Sequence, residues 1–186
     1  MLDVWSAVEN VGPVYEGADA RSAVLVALFE DDDGYVRIIL TRRPDDMPTH
    51  PGDIVCPGGR LAPGESVVDA ALREAFEEVG LDPQTVEVVG GSEPFWTRNQ
   101  EEMIVPVIGR ISGGRPTLTR DEREVAAILT PRLDFLMETP DWHCQQWHGY
   151  DIWFLELPEG ILWGATAGML RRLFETLRGG TMGQEG

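Results

Sequence analysis

Lysine is missing altogether from this 186-residue chain: all fifteen basic residues are arginine, set against 32 acidic ones, for a formal net charge of −17. A chain this acidic repels polyphosphate backbones, which argues against a nucleic-acid partner. A small phosphate-bearing ligand would need positive charge supplied locally. The acidity itself reads as a solvated surface, of the kind that salt adaptation produces. No stretch approaches the roughly 20 consecutive apolar residues of a membrane helix, so no membrane partner is expected. Met1–Asn10 lacks a basic region followed by an apolar run, the mark of a signal peptide, and a cytoplasmic location is the expectation. There are two cysteines, Cys56 and Cys144, too few for a disulfide framework and unlike a zinc site. Both are read as reduced thiols. His50, His143 and His148 lack metal-ligand spacing.

What is present is enough apolar sequence, 42% of residues, for one domain with a real core. Residues 1–20 show no period and read as an N-terminal extension. The stretch 21–178 reads as the domain, and 179–186 as a flexible tail. Ser22–Phe29 is a strand-like run, Asp31–Gly34 a turn, and Tyr35–Thr41 a second strand, so the three form a hairpin. Arg42–Asp53 is a loop rich in Pro and Asp, and Ile54–Cys56 a short apolar stretch ended by Pro57-Gly58-Gly59. A helix follows, opened by Ser66 as N-cap with Asp69 three residues on and closed by Gly80. Val68, Leu72, Ala75 and Val79 share one of its faces. Further strands are expected at Thr85–Val89, Met103–Ile111, Glu124–Leu129 and Tyr150–Leu157. A short helix is expected at Pro131–Met137 and a closing helix at Ala165–Arg178. Strands and helices mixed without strict alternation imply an α+β fold or a mixed-sheet α/β fold.

The chemistry gathers on the Ser66–Gly80 helix. Glu74, Glu77 and Glu78 span an arc of about 100° opposite the apolar stripe. Left alone they are unfavourable: like charges at i,i+3 and i,i+4 cost roughly 0.2–0.5 kcal/mol per pair. Carboxylates in the last turn also oppose the helix dipole, at roughly 0.3–1 kcal/mol each. A divalent cation removes both penalties, and hard oxygen ligands suit Mg²⁺ or Mn²⁺. A solvated acidic face is the plain alternative, and the flanking residues decide against it. Gly59, Glu65 after five intervening residues, Arg73-Glu74 after seven more, then Ala75, Phe76, Glu77-Glu78, Val79 and Gly80-Leu81 form one continuous pattern.

That pattern resembles the Nudix box, Gly-x5-Glu-x7-Arg-Glu-U-x-Glu-Glu-x-Gly-U with U a bulky apolar residue; Ala75 is smaller than the formula asks. The resemblance implies a Nudix fold, a mixed β-sheet between helices (an α/β/α sandwich) with a loop–helix–loop metal site. It implies an enzyme that hydrolyses a diphosphate bond in a nucleoside diphosphate derivative, with Mg²⁺ or Mn²⁺ as cofactor. Glu74, Glu77 and Glu78 would be metal ligands, joined by backbone near Gly58 and Gly59. Arg73 would orient a carboxylate through its fork, unless it merely pairs with Asp69. Glu65 reads as structural. Bound metal would neutralise the phosphate oxygens and acidify a water, leaving positioning as the remaining task. Glu124 is the candidate to orient or deprotonate that water, unless it is a plain surface residue of the Arg120–Glu124 turn. A homodimer is compatible with the family, although no interface stripe marks one.

The flanks look like the coenzyme A pyrophosphatase branch. Leu40-Thr41-Arg42-Arg43, Pro48-Thr49-His50-Pro51-Gly52 and Cys56-Pro57-Gly58-Gly59 stand at similar spacing, with Val105-Pro106-Val107 and Trp163-Gly164-Ala165-Thr166-Ala167-Gly168 farther on. Pro44-Asp45, Pro48 and Cys56 depart from its usual residues. This branch implies cleavage of coenzyme A to 3′,5′-ADP and 4′-phosphopantetheine. Arg42, Arg43 and Arg60 are the candidates for the 3′-phosphate, and Trp96 for adenine stacking, against plain roles as surface arginines and a rim aromatic. ADP-ribose, a dinucleotide or a damaged nucleotide stays open as substrate. A Nudix module that senses a nucleotide without cutting it is the reading from another class.

Overall fold

The longest apolar run in the N-terminal half becomes the middle of a sheet. In a computed structural model that describes residues 3–9, 11–97 and 102–179, β1 (Ser22–Glu30) pairs in parallel with β8 (Met103–Ile111). Both are apolar almost without interruption because both of their faces are covered. Alternation along β1 assigns its side chains to two cores. Ala23, Leu25, Ala27 and Phe29 meet α2 (Val67–Val79), whereas Val26 and Leu28 belong to the core under α4 (Gly164–Leu177). The result is the expected sandwich of helix, mixed sheet and helix.

Four strands border this pair. β2 (Val36–Ile38) lies antiparallel to the C-terminal end of β1, and β5 (Gly58–Arg60) pairs antiparallel with its first three residues. β6 (Val86–Gly91) flanks β8 on the far side, and β7 (Phe95–Trp96) joins β8 at its start. Along one edge of β1 the neighbour therefore changes midway. Ile39 donates to the carbonyl of Ala27, while Leu25 donates to that of Pro57. Between these points the chain leaves to build a second sheet of β3 (Leu40–Arg42), β4 (Ile54–Val55) and β9 (Ala127–Leu129). The expected strand Tyr35–Thr41 is thus two strands in two sheets.

A third sheet, β10 (His143–Trp147), β11 (Tyr150–Leu157) and β12 (Gly160–Trp163), packs on α4. Only β11 among these is anticipated by hydrophobic pattern, because β10 is polar and β12 is short. The segment read as an extension joins the fold: α1 (Val4–Val8) buries Val8 in the α4-side core, and Gly12 bridges to Gly91. α3 spans Leu133–Glu138, close to expectation. The tail beyond Gly179 lies outside the described residues. No helix among the described residues is long and apolar enough to cross a membrane.

The ends of α2 follow their local chemistry. The Ser66 hydroxyl accepts from the Asp69 amide at 3.0 Å and donates to the Asp69 carboxylate at 2.8 Å. Gly80 takes φ 67° and caps the last turn, a backbone region where a side chain costs roughly 1–2 kcal/mol. A Cβ there would also press on the Thr119 backbone at 3.2–3.3 Å. Ser66→Ala should cost about 1 kcal/mol, as for other N-caps, and Gly80→Ala should cost more. Urea unfolding midpoints, with unchanged slope, check the order of the two.

Candidate metal centre

α2 sits closer to the sheet than its large apolar residues suggest. Its buried positions are Val67, Ala70, Ala71, Ala75, Glu78 and Val79, while Val68 and Leu72 are only partly covered. The three alanines let the helix approach β1, and this turns the buried face toward Glu78. The expectation that all three glutamates lie opposite the apolar stripe is corrected here. Glu77 is exposed and Glu74 lies at the margin, but Glu78 is buried.

Burial pushes the Glu78 carboxyl up to about 8, and the charges of Glu74 and Glu124 push the same way. The Gly58 amide, which donates to Glu78 Oε2 at 3.3 Å, and the positive charge of Arg43 oppose the shift. Glu124 is therefore brought electrostatically to Glu78 from a distant part of the chain. It lies at the end of an exposed turn, and the strand expected from Glu124 starts only at Ala127. That turn is fastened to the end of α2: the Asp121 and Thr119 amides donate to the carbonyls of Glu78 and Val79, each at 2.9 Å. Two carbonyls that a helix end leaves open are satisfied in this way.

Arg73 ties the helix to the preceding loop. Its Nε and Nη2 hold the two oxygens of Glu65 at 2.8 and 3.0 Å. Nη1 reaches Glu74 at 2.7 Å and Glu77 at 3.1 Å, and Nη2 also donates to the Arg60 carbonyl at 3.1 Å. The hydrogen bonds it donates to Glu65 and Glu74 raise its basicity further, and those that Glu65 accepts from Arg73 and the Ala62 amide hold the Glu65 carboxyl below its ordinary range. The alternative pairing of Arg73 with Asp69 does not occur, since Asp69 bonds to Ser66. Glu65 is the anchor of Arg73, in keeping with a structural role.

Gly58 and Gly59 are required by close approach. A Cβ on Gly58 would run into the β1 backbone at Ala23 and Val24, and one on Gly59 would come within 2.5–2.7 Å of the Glu74 carboxylate. The four arginine and aromatic candidates part company. Arg43 lies near Glu78, and its Nε is buried without a hydrogen-bond partner among the described residues. Arg42 pairs with Asp45, and Arg60, largely exposed, lies 3.4 Å from Glu102. Trp96 is a half-exposed rim residue on β7. Both cysteines are free, Cys56 buried and Cys144 exposed.

Among the described residues no three His, Cys, Asp or Glu side chains converge into a ready-made metal cage. Arg73 holds Glu74 and Glu77, while Glu78 faces the Gly58 amide. The donor set nonetheless fits a hard divalent cation: carboxylate oxygens on one helix, beside a glycine pair with no room for side chains, one of them buried where its negative charge is poorly compensated. No pattern within the sequence reveals the influence of Arg43 on Glu78 or the burial of Glu78, because both depend on how segments distant in the chain come together.

A sandwich with this loop and helix defines the class, and comparison with known proteins agrees. Residues 19–162 match the NUDIX domain, and the chain belongs to that family. It is 35% identical over 178 residues to the mitochondrial Nudix hydrolase 15 of Arabidopsis thaliana, covering 88% of this chain and 62% of that protein. It is 32% identical over 160 residues to the uncharacterized Nudix hydrolase NudL of Enterobacter sp. (strain 638), covering 82% of this chain and 80% of that one. The chain spans 62%, 57% and 52% of three relatives, two from Arabidopsis thaliana and one from Caenorhabditis elegans. Among solved structures, a Nudix hydrolase from M. Smegmatis, RenU, superposes with TM-score 0.58 at 18% identity, covering 94% of this chain and 99% of that one. At that identity the likeness concerns the fold alone. Nudix hydrolases generally use divalent metal ions.

The raised Glu78 carboxyl makes a prediction for the metal-free protein. A group that binds its proton more tightly when folded stabilises most at low pH, and this contribution is lost as pH rises from about 4.5 to about 8. Glu78→Gln should remove that loss. Without metal, the variant should gain on the parent by a few kcal/mol at most between pH 5 and pH 9, read from thermal unfolding in EDTA. An unchanged difference across this range would contradict the assignment.

Proposed function

We propose that the protein hydrolyses a diphosphate bond in a nucleoside diphosphate derivative with Mg²⁺ or Mn²⁺, and that its substrate is coenzyme A or a derivative, giving 3′,5′-ADP and 4′-phosphopantetheine. The observation that carries the hydrolase reading is the Arg73 fork, which gathers Glu65, Glu74 and Glu77 around one guanidinium beside the buried Glu78. Glu74, Glu77 and Glu78 would hold the ion, with backbone at Gly58 and Gly59 alongside. Bound there, a divalent ion supplies charge neutralisation of the diphosphate and acidification of water. Arg73 keeps two of the carboxylates at fixed separation. Glu124, exposed and close enough to Glu78 for their charges to interact, orients the attacking water and takes its proton. Arg43 contributes the local positive charge that a phosphate needs on a protein of this net charge.

Support for coenzyme A comes from the two flanking segments that resemble its branch. They are distant in sequence but meet in the fold: the Trp163 indole donates to Asp53 Oδ1 at 2.9 Å, and His50 lies 3.2 Å from the other oxygen of the same carboxylate. The loop 43–53 is thereby fixed where Arg43 leaves it.

Two measurements test this. Ion-exchange separation of products from coenzyme A, ADP-ribose, dinucleotides and nucleoside triphosphates, with Mg²⁺ and Mn²⁺, should show coenzyme A cut fastest. Coenzyme A left intact while ADP-ribose is cleaved would reject the substrate, and binding without turnover of any of them would favour a nucleotide sensor. Glu78→Gln should lower turnover roughly a hundredfold or more with the fold retained. Arg73→Lys, which loses the fork, should cost about 10–100-fold, as expected for groups that orient metal ligands.

A further inference from the structure

Loop 43–53 keeps its shape with little help from within. Pro44, Pro48 and Pro51 stiffen it, but its internal hydrogen bonds are long. The Met47 and Gly52 amides donate to the Pro44 carbonyl at 3.3 and 3.4 Å, and the Asp53 amide donates to the His50 carbonyl at 3.4 Å. His50 sits at φ 53°, a left-handed backbone that a residue with a side chain adopts at a cost. A conformation of this kind persists when its surroundings hold it. The short tie to the surroundings is the Asp53 carboxylate. One oxygen accepts from the Trp163 indole at 2.9 Å, and the other lies 3.2 Å from His50 Nδ1.

The two contacts differ in weight. The His50 side chain is 72% exposed, and water screens an ion pair there. The Asp53 side chain is 18% exposed and Trp163 is partly covered, so the indole bond is charge-assisted and shielded. Trp163 is itself well fixed. It follows the fully buried Leu162, opens α4, and stacks on Phe154 with the two rings 3° from parallel.

The main chain of Asp53 holds Arg43. Arg42 and Ile54 are a register pair of β3 and β4, and the Arg43 amide extends that ladder by donating to the Asp53 carbonyl at 2.9 Å. Asp53 thus joins an anchored point beside α4 to the arginine whose Nε is buried without a hydrogen-bond partner among the described residues. We infer that Asp53 is a positioning residue: anchored by Trp163, it sets Arg43 in place for a phosphate before one arrives. Setting a binding group in advance lowers the cost of binding. The inference rests on the reading of Arg43 as the cation for a phosphate, and names the residues that act through it.

Binding rather than turnover tests this, by titration calorimetry of the full chain with Mg²⁺ and a methylene-bridged analogue of ADP that cannot be hydrolysed. Trp163→Phe, which keeps the ring and loses the N–H, and Asp53→Ala should each weaken binding roughly tenfold, with an unchanged circular dichroism spectrum. Asp53→Asn, which keeps an oxygen for the indole, should restore most of the affinity. In an Arg43→Ala background, Trp163→Phe should change affinity by less than about twofold. A tie that serves the fold alone would weaken binding equally with or without the Arg43 side chain. Parent-like affinity in Trp163→Phe, an equal loss in the Arg43→Ala background, or a parent chain that does not bind the analogue would overturn the inference. Binding that shifts as expected in a protein that cuts no diphosphate would remove the hydrolase reading and leave this one standing.

Discussion

One guanidinium organises the acidic end of this molecule. Arg73 is the shared counter-ion of Glu65, Glu74 and Glu77 and also holds the Arg60 carbonyl. It ties the loop from Arg60 to Glu65 to the helix and supplies positive charge between the carboxylates of Glu74 and Glu77. Charge-assisted bonds of this forked kind are the strong ones, and the fork fixes directions as well as distance. The arrangement lets a strongly acidic helix fold before any cation arrives.

Glu78 shows the limit of that solution. It sits where an apolar residue would satisfy the packing, and its two local compensations are a long hydrogen bond from the Gly58 amide and the nearby charge of Arg43. Burial without full compensation is costly for a carboxylate. A site that costs stability when empty and gains a partner when loaded couples the fold to its ligand. The acidic surface elsewhere works the other way: it solubilises the chain and repels anions, so the positive charge at the site has to come from particular arginines rather than from the general field.

The three sheets divide the labour. The mixed sheet supplies the rigid wall, since β1 and β8 are covered on both sides and position both α2 and α4. The small sheet of β3, β4 and β9 carries the chain into the segment that brings Arg43 near Glu78, while Gly58 belongs to β5 of the mixed sheet. The third sheet packs on α4, on the other face of the central sheet from the glutamates. The split edge of β1 makes this possible, because one strand can be bordered by β2 at one end and β5 at the other only if the chain between them departs.

Much was legible in the residues alone. The spacing from Gly59 to Leu81, the Ser66 cap, the Gly80 stop and the apolar runs of β1, β8 and β11 are local properties, set by backbone preference and by alternation or helical period within a few residues. The tertiary structure decided the rest. Which glutamate is buried depended on Ala70 and Ala71, whose small size matters only once a sheet lies beneath them. The division of Tyr35–Thr41, the polar strand β10 and the meeting of Arg43 and Glu124 with Glu78 depend on hydrogen bonds and charges between segments far apart in the chain. A pattern within one segment carries no record of them.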